Sequence, residues 1–138
     1  MITFYFKVIN MRLRYKIDEL RNRIQRFKRG YSSSDIWNMY CWFLETAKPM
    51  LVYLRNHHCG VPMEFENNSD GWDDVLDEMI SCLDMMDEVN VYDHFGFGRC
   101  DYWKKITKED YEKIYRTMEE NKNRFFELFS KYFYDMWD

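Results

Sequence analysis

The densest cluster of metal-binding and nucleophilic side chains in the sequence is His57-His58-Cys59, with His94 and Cys100 further along. A transition-metal site needs three or four converging ligands, usually delivered as H-x-x-x-H, C-x-x-C or a similar repeat. Adjacent histidines at a helix end point in different directions, and they suit that end because a cation there complements the helix dipole. The expectation is no metal and no cofactor. The Glu-x-x-His pairs of carboxylate di-iron bundles do not occur. Gly96-Phe97-Gly98 follows no strand and opens no helix, so it reads as a flexible turn and not a phosphate cradle. G-x-S-x-G, P-loop and dinucleotide patterns are missing, and a catalytic thiol would need a histidine in space that spacing does not supply. The reading is a non-enzymatic protein with no catalytic residue; a small enzyme or metalloprotein is the remaining alternative.

Charge gives a clearer pattern. The net charge of the 138-residue chain is −4, but residues 1–30 carry nine Lys/Arg against two acids, and residues 31–101 three against fourteen. The cations Arg14, Arg21, Arg23, Arg26, Lys28 and Arg29 could follow a phosphate backbone, lie on an anionic membrane surface, or dock beside an acidic helix of the same fold. The acidity of the whole chain favours the last, and nucleic-acid binding by these six stands as an alternative function. Asp73, Asp74, Asp77, Asp84 and Asp87 stud one helix at 5–6 Å intervals. They form a solvated face or a docking face for a basic partner. The aromatic share is 20%, more than a core this small needs. Surplus aromatics are favoured interface anchors, which points to Phe126, Phe133 and Trp137 as contacts to a protein partner or to a second copy in a homodimer.

These residues need elements to hold them. Gly and Pro total only seven and 46% of residues are hydrophobic, which favours long helices over a sandwich with frequent turns. The expected fold is all-α: a single-domain bundle of about four helices over residues 1–138. The first runs from about Met11 to Arg29 with Leu13, Ile17, Leu20, Ile24 and Phe27 spaced 4, 3, 4, 3 as a buried stripe, and ends at Gly30. Residues 2–9 suit a strand by propensity, yet Ile2, Phe6 and Ile9 continue the stripe; helix is favoured. The second helix starts at Ser32, with Asp35 three residues on as in a capping box. It runs to about His57, apolar nearly all round as a central helix would be, with a kink or break at Pro49.

A third helix, capped by Ser69 or Asp70, carries the stripe Trp72, Leu76, Met79, Leu83 and Met86. Residues 90–103 read as irregular. A last helix capped by Thr107 reaches nearly to Asp138, with a stripe of Tyr111, Ile114 or Tyr115, Met118, Phe125, Phe129, Tyr132 and Met136. No run of roughly 18 uncharged apolar residues could cross a bilayer, no membrane partner is expected, and no small-residue cleavage site follows the apolar N-terminus. Four scattered cysteines read as reduced thiols, which places the protein in a cytoplasm.

The stretch Arg29-Gly30-Tyr31-Ser32-Ser33-Ser34-Asp35-Ile36-Trp37, with Trp42-Phe43-Leu44, Pro49-Met50-Leu51, Gly60-Val61-Pro62 and Trp72 through Ile80 after it, resembles a group of small helical proteins. These are encoded by bacteriophages and prophages of gut and soil bacteria. The resemblance covers residues 12–88 and centres on an RGYS-x-x-D-x-W signature. The group has no assigned activity, so the resemblance carries over no catalytic residue. It implies a phage accessory protein made inside an infected bacterium, and one concrete version is an inhibitor of a host defence complex. In the signature itself, Gly30 ends one helix and Ser32 starts the next, with Trp37 placed to cover the corner.

Overall fold

Gly30 takes a left-handed backbone, φ +79°, and its N–H donates to the Arg26 carbonyl oxygen at 2.8 Å. That conformation, cheap only for glycine, stops the first helix. In the computed structural model this helix is α1 (Ile2–Arg29), so residues 2–9 extend it and form no strand. The structure describes residues 2–98 and 106–137, and the side chains of residues 13–98 and 106–137. The remaining elements are α2 (Ser33–Trp37), α3 (Met39–His57), a 3₁₀ turn at Met63–Phe65, α4 (Ser69–Met86), α5 (Glu88–His94) and α6 (Lys108–Lys131). The protein is all-α, with six α-helices and no strand among the described residues.

Residues 1–43 and 44–138 form two compact units. In the first, α1 packs on α2. Asp35 accepts from the Ser32 backbone N–H at 2.6 Å, which is the reciprocal bond of a capping box. The helix expected to run from Ser32 to His57 is interrupted at Asn38 (φ −134°, ψ 55°), where a short polar side chain tolerates a non-helical backbone. Helix α3 then runs through Pro49 without a break. Trp37 was expected to cover the corner, but it is 94% exposed. Trp42 does the bracing instead, its Nε1–H donating to the Gly30 carbonyl oxygen at 3.3 Å.

The second unit holds the apolar core. Trp72, Leu76, Met79 and Leu83 are buried along one stripe of α4, as their spacing predicts. They meet Phe125, Leu128 and Tyr132 where α6 packs on α4. Burying side chains of this size contributes roughly 1.5–3 kcal/mol each. At one end the rings of Phe65, Trp72 and Tyr132 pack together, their centroids 5.2–6.1 Å apart. At the other, Val91 and Tyr92 of α5 pack with Ile114 of α6.

Several expectations shift. Helix α5 occupies the start of the segment read as irregular, because Asp87 accepts from the backbone N–H of Val89 and Asn90 and so caps a new helix. Residues 95–98 are irregular as expected, and residues 99–103 fall outside the described residues. Asn68, one position before Ser69, is the N-cap of α4. Helix α6 does begin at Thr107, with a capping box to Asp110, but it ends at Lys131 and a turn follows over 132–135. Ile114 is the buried member of its pair, while Tyr115 is exposed. Helix α3 was expected to be covered on several sides, yet only Leu44 and Leu51 are buried in it, and Met39, Tyr40, Met50, Val52 and Tyr53 are exposed.

Candidate partner-binding surfaces

The acidic face of α4 is largely matched by cations of its own unit. Lys48 pairs with Asp84. Arg55 donates to Asp77 from Nε at 3.0 Å and NH2 at 3.2 Å, and stands 3.8 Å from Asp73. Across the helix, Arg124 of α6 donates to Glu78 at 2.6 and 3.1 Å, which raises the guanidinium pKa and holds the Glu78 carboxyl below its ordinary range. Asp87 is the cap of α5. Of the five predicted docking acids only Asp74 is exposed and makes no ion pair among the described residues. Asp73, Asp77 and Asp84 tie α4 to α3 and Asp87 caps α5, while the tie to α6 is made by Glu78. Half-exposed pairs of this kind contribute little stability each, but they fix which cation faces which acid.

The histidine cluster is likewise engaged. His58 lies between the Gly60 carbonyl oxygen (Nδ1, 3.0 Å) and the Asp73 carboxylate (Nε2, 2.9 Å). His57 stacks on Tyr53 with centroids 4.1 Å apart, and its Nδ1 is 2.8 Å from the Tyr53 carbonyl oxygen. Among the described residues no three His, Cys, Asp or Glu side chains converge as a metal ion requires; Cys100 lies outside them. Cys82 is buried in the core, and burial pushes its thiol pKa up, the reverse of what a nucleophile needs.

Aromatic side chains are exposed at the C-terminal end of α6 and in the residues that follow it. Phe126, Phe133 and Trp137 are 45%, 53% and 64% exposed, and Tyr134, which the sequence reading did not single out, is 89% exposed. Phe126, Phe133 and Tyr134 belong to one line of rings that passes through buried Phe125 and half-buried Phe129, with successive centroids 5.2–5.5 Å apart. Among the described residues Trp137 stands apart from it. The Trp137 ring lies over Gly60, with 3.8 Å to where a Cβ would stand. At the other end of α6, Lys108, Tyr111, Glu112, Tyr115, Arg116 and Glu119 line an open, shallow groove.

In the first unit three of the six candidate phosphate contacts, Arg23, Arg26 and Arg29, are engaged within the chain. Arg26 grips Asp35, while Arg29 donates to the Tyr31 carbonyl oxygen, Gln25 and Ser33. Arg14, Arg21, Arg23 and Lys28 are exposed along α1, Arg23 beside Glu19. Between them runs the stripe that periodicity reads as buried. It is not: Leu13, Ile17, Leu20, Ile24 and Phe27 are all exposed.

No helix among the described residues is long and apolar enough to cross a membrane. Comparison of the chain with family models, with curated proteins and with solved structures returns no match.

Proposed function

We propose that this chain is a non-catalytic accessory protein of phage type, acting in the bacterial cytoplasm by binding a protein partner. The observation that carries the reading is the group of exposed aromatic rings at the end of α6 and just after it. Phe126, Phe133, Tyr134 and Trp137 stand exposed while the same unit buries a full core of its own. Ordered, pre-packed aromatic rings bind at low entropic cost, and truncating a central one typically weakens a complex by 2 kcal/mol or more, roughly 30-fold. The α4 acids support the reading less, since most already have partners within their unit. An inhibitor of a host defence complex is the version that the phage resemblance suggests.

The test is affinity capture of the tagged full chain from bacterial host lysate after nuclease treatment, beside a Phe133→Ser/Tyr134→Ser variant. A stoichiometric protein retained by the wild type and lost from the variant supports the reading. Capture of nucleic acid alone, lost on nuclease treatment, overturns it and favours Arg14, Arg21, Arg23 and Lys28 as phosphate contacts. A chain that retains nothing but a second copy of itself makes the aromatic end a homodimer contact.

A further inference from the structure

Among the described side chains of residues 13–43, only Ser32 and Asp35 are buried, and both are polar; every buried apolar side chain lies at Leu44 or beyond. Helix α1 is 28 residues long, and helices gain most of their stability in water from packing an apolar face. Its apolar face is ordered but uncovered, with Leu13, Ile17, Leu20, Ile24 and Phe27 47–92% exposed.

The stripe follows a heptad repeat. Ile17 and Ile24 take the a positions, and Leu13, Leu20 and Phe27 the d positions. β-Branched residues at a with leucine at d favour two-stranded parallel coiled coils. At 100° per residue the five fall within an arc of about 80°, the narrow seam of a coiled coil and not the broad face of a globular helix. The flanking e positions are Arg14, Arg21 and Lys28, and the g positions Lys16 and Arg23, all five exposed. Every flank is cationic.

We propose that α1 is one strand of a two-stranded coiled coil whose other strand is an acidic helix of a different protein, with an apolar a/d seam and Glu or Asp at its e and g positions. Charge decides the occupant. In a parallel pair of identical chains Lys16 would face Arg21, and Arg23 would face Lys28. In an antiparallel pair e would face e and g would face g. Each arrangement sets cation against cation, so a second copy is disfavoured on both flanks. A nucleic-acid backbone would satisfy the cations but leave the seam in water. An anionic bilayer could take both, but a strict two-position seam suits a helix better than a lipid interface. This surface and the aromatic end of α6 belong to different units, so the two readings stand or fall separately.

The experiment titrates the full chain into a fluorescent designed peptide carrying Ile at a, Leu at d and Glu at every e and g position. Anisotropy should report one-to-one binding. Affinity should fall at least about tenfold for Ile17→Lys/Ile24→Lys, which destroys the seam, and by a similar factor for Arg14→Glu/Arg21→Glu, which keeps the seam and reverses one flank. A matched peptide with Lys at e and g should not bind. Because the substituted side chains are exposed, the core of the second unit is untouched, which circular dichroism and a thermal melt verify. The proposal is overturned if the acidic peptide does not bind, or binds Ile17→Lys/Ile24→Lys as tightly as the wild type. It is also overturned if the wild-type chain forms a dimer that this variant abolishes. Vesicles of phosphatidylglycerol that hold the chain against excess acidic peptide would overturn it too, in favour of a lipid surface.

Discussion

The Arg26 guanidinium clasps the Asp35 carboxylate with two hydrogen bonds, Nε to Oδ2 at 2.9 Å and NH2 to Oδ1 at 2.6 Å, joining the last turn of α1 to the first of α2. Asp35 is buried and Arg26 half-exposed. The Arg26 hydrogen bonds, helped by the Ser32 backbone N–H and opposed by burial, hold the carboxyl far below its usual range. A native-state pKa below the unfolded one means that the unfolded chain binds more protons in acid. The resulting stability is therefore complete above about pH 5, begins to fade near pH 4, and is lost as the pH drops through the native-state value. Amide protection across residues 26–38, taken relative to the unstructured chain at the same pH, should fall over that acid range. Asp35→Asn should remove the acid dependence and loosen the corner at neutral pH by about 1–3 kcal/mol.

Gly30 offers a cleaner test of backbone conformation. A Cβ built there meets nothing within 4 Å, yet φ is +79°. Any cost of Gly30→Ala is therefore backbone strain, on the order of 1–2 kcal/mol, with no steric share. Gly30→Asn should cost less, because asparagine tolerates the left-handed region better. Exchange protection of the last turn of α1 measures both, and equal effects would place the cost elsewhere.

Features set by short-range pattern were legible in the residues. The stop at Gly30, the caps at Thr107 and Ser32, and the buried α4 stripe each follow from neighbours within a few positions. What pattern does not encode is whether another part of the chain covers a stripe. Leu13 to Phe27 has the same 4, 3, 4, 3 spacing as Trp72 to Met86, yet the first stripe is exposed while the second is core from Trp72 to Leu83 and half-buried at Met86. The α4 acids show the same limit, because Lys48 lies 36 residues from Asp84 and Arg124 46 residues from Glu78. Trp37 and Trp42 are chemically alike at this range, and only the break at Asn38 decides which one reaches Gly30.

The division of labour among the α4 acids can be separated by charge reversal. Asp77→Lys would set a cation against Arg55, which now donates to it twice, so it should lower the thermal midpoint. Asp74→Lys removes no ion pair among the described residues and should shift stability by no more than about 0.5 kcal/mol. Thermal melts of the two variants give the comparison. If Asp77→Lys leaves the midpoint unchanged, the pairing with Arg55 contributes nothing and that acid is free for docking.

Gly71 sits where two opposing effects can be weighed. Alanine is favoured over glycine in a helix by about 1 kcal/mol, so Gly71→Ala in the first turn of α4 would stabilise an open site. Here a Cβ would stand 2.8 and 3.0 Å from two carbons of the Phe65 ring and 3.1 Å from the Asn68 amide nitrogen. Phe65 is wedged against Trp72 and Tyr132, so its ring has little room to retreat, and overpacking of this kind costs about 1–3 kcal/mol. The steric penalty wins, and Gly71→Ala should destabilise the protein by about 1–2 kcal/mol in chemical denaturation. Phe65→Leu supplies the control, since a smaller side chain admits the new methyl. Combined with Gly71→Ala it should cost less than the two changes summed, with a coupling of about 1 kcal/mol. Strict additivity would mean that Phe65 does not meet the added carbon.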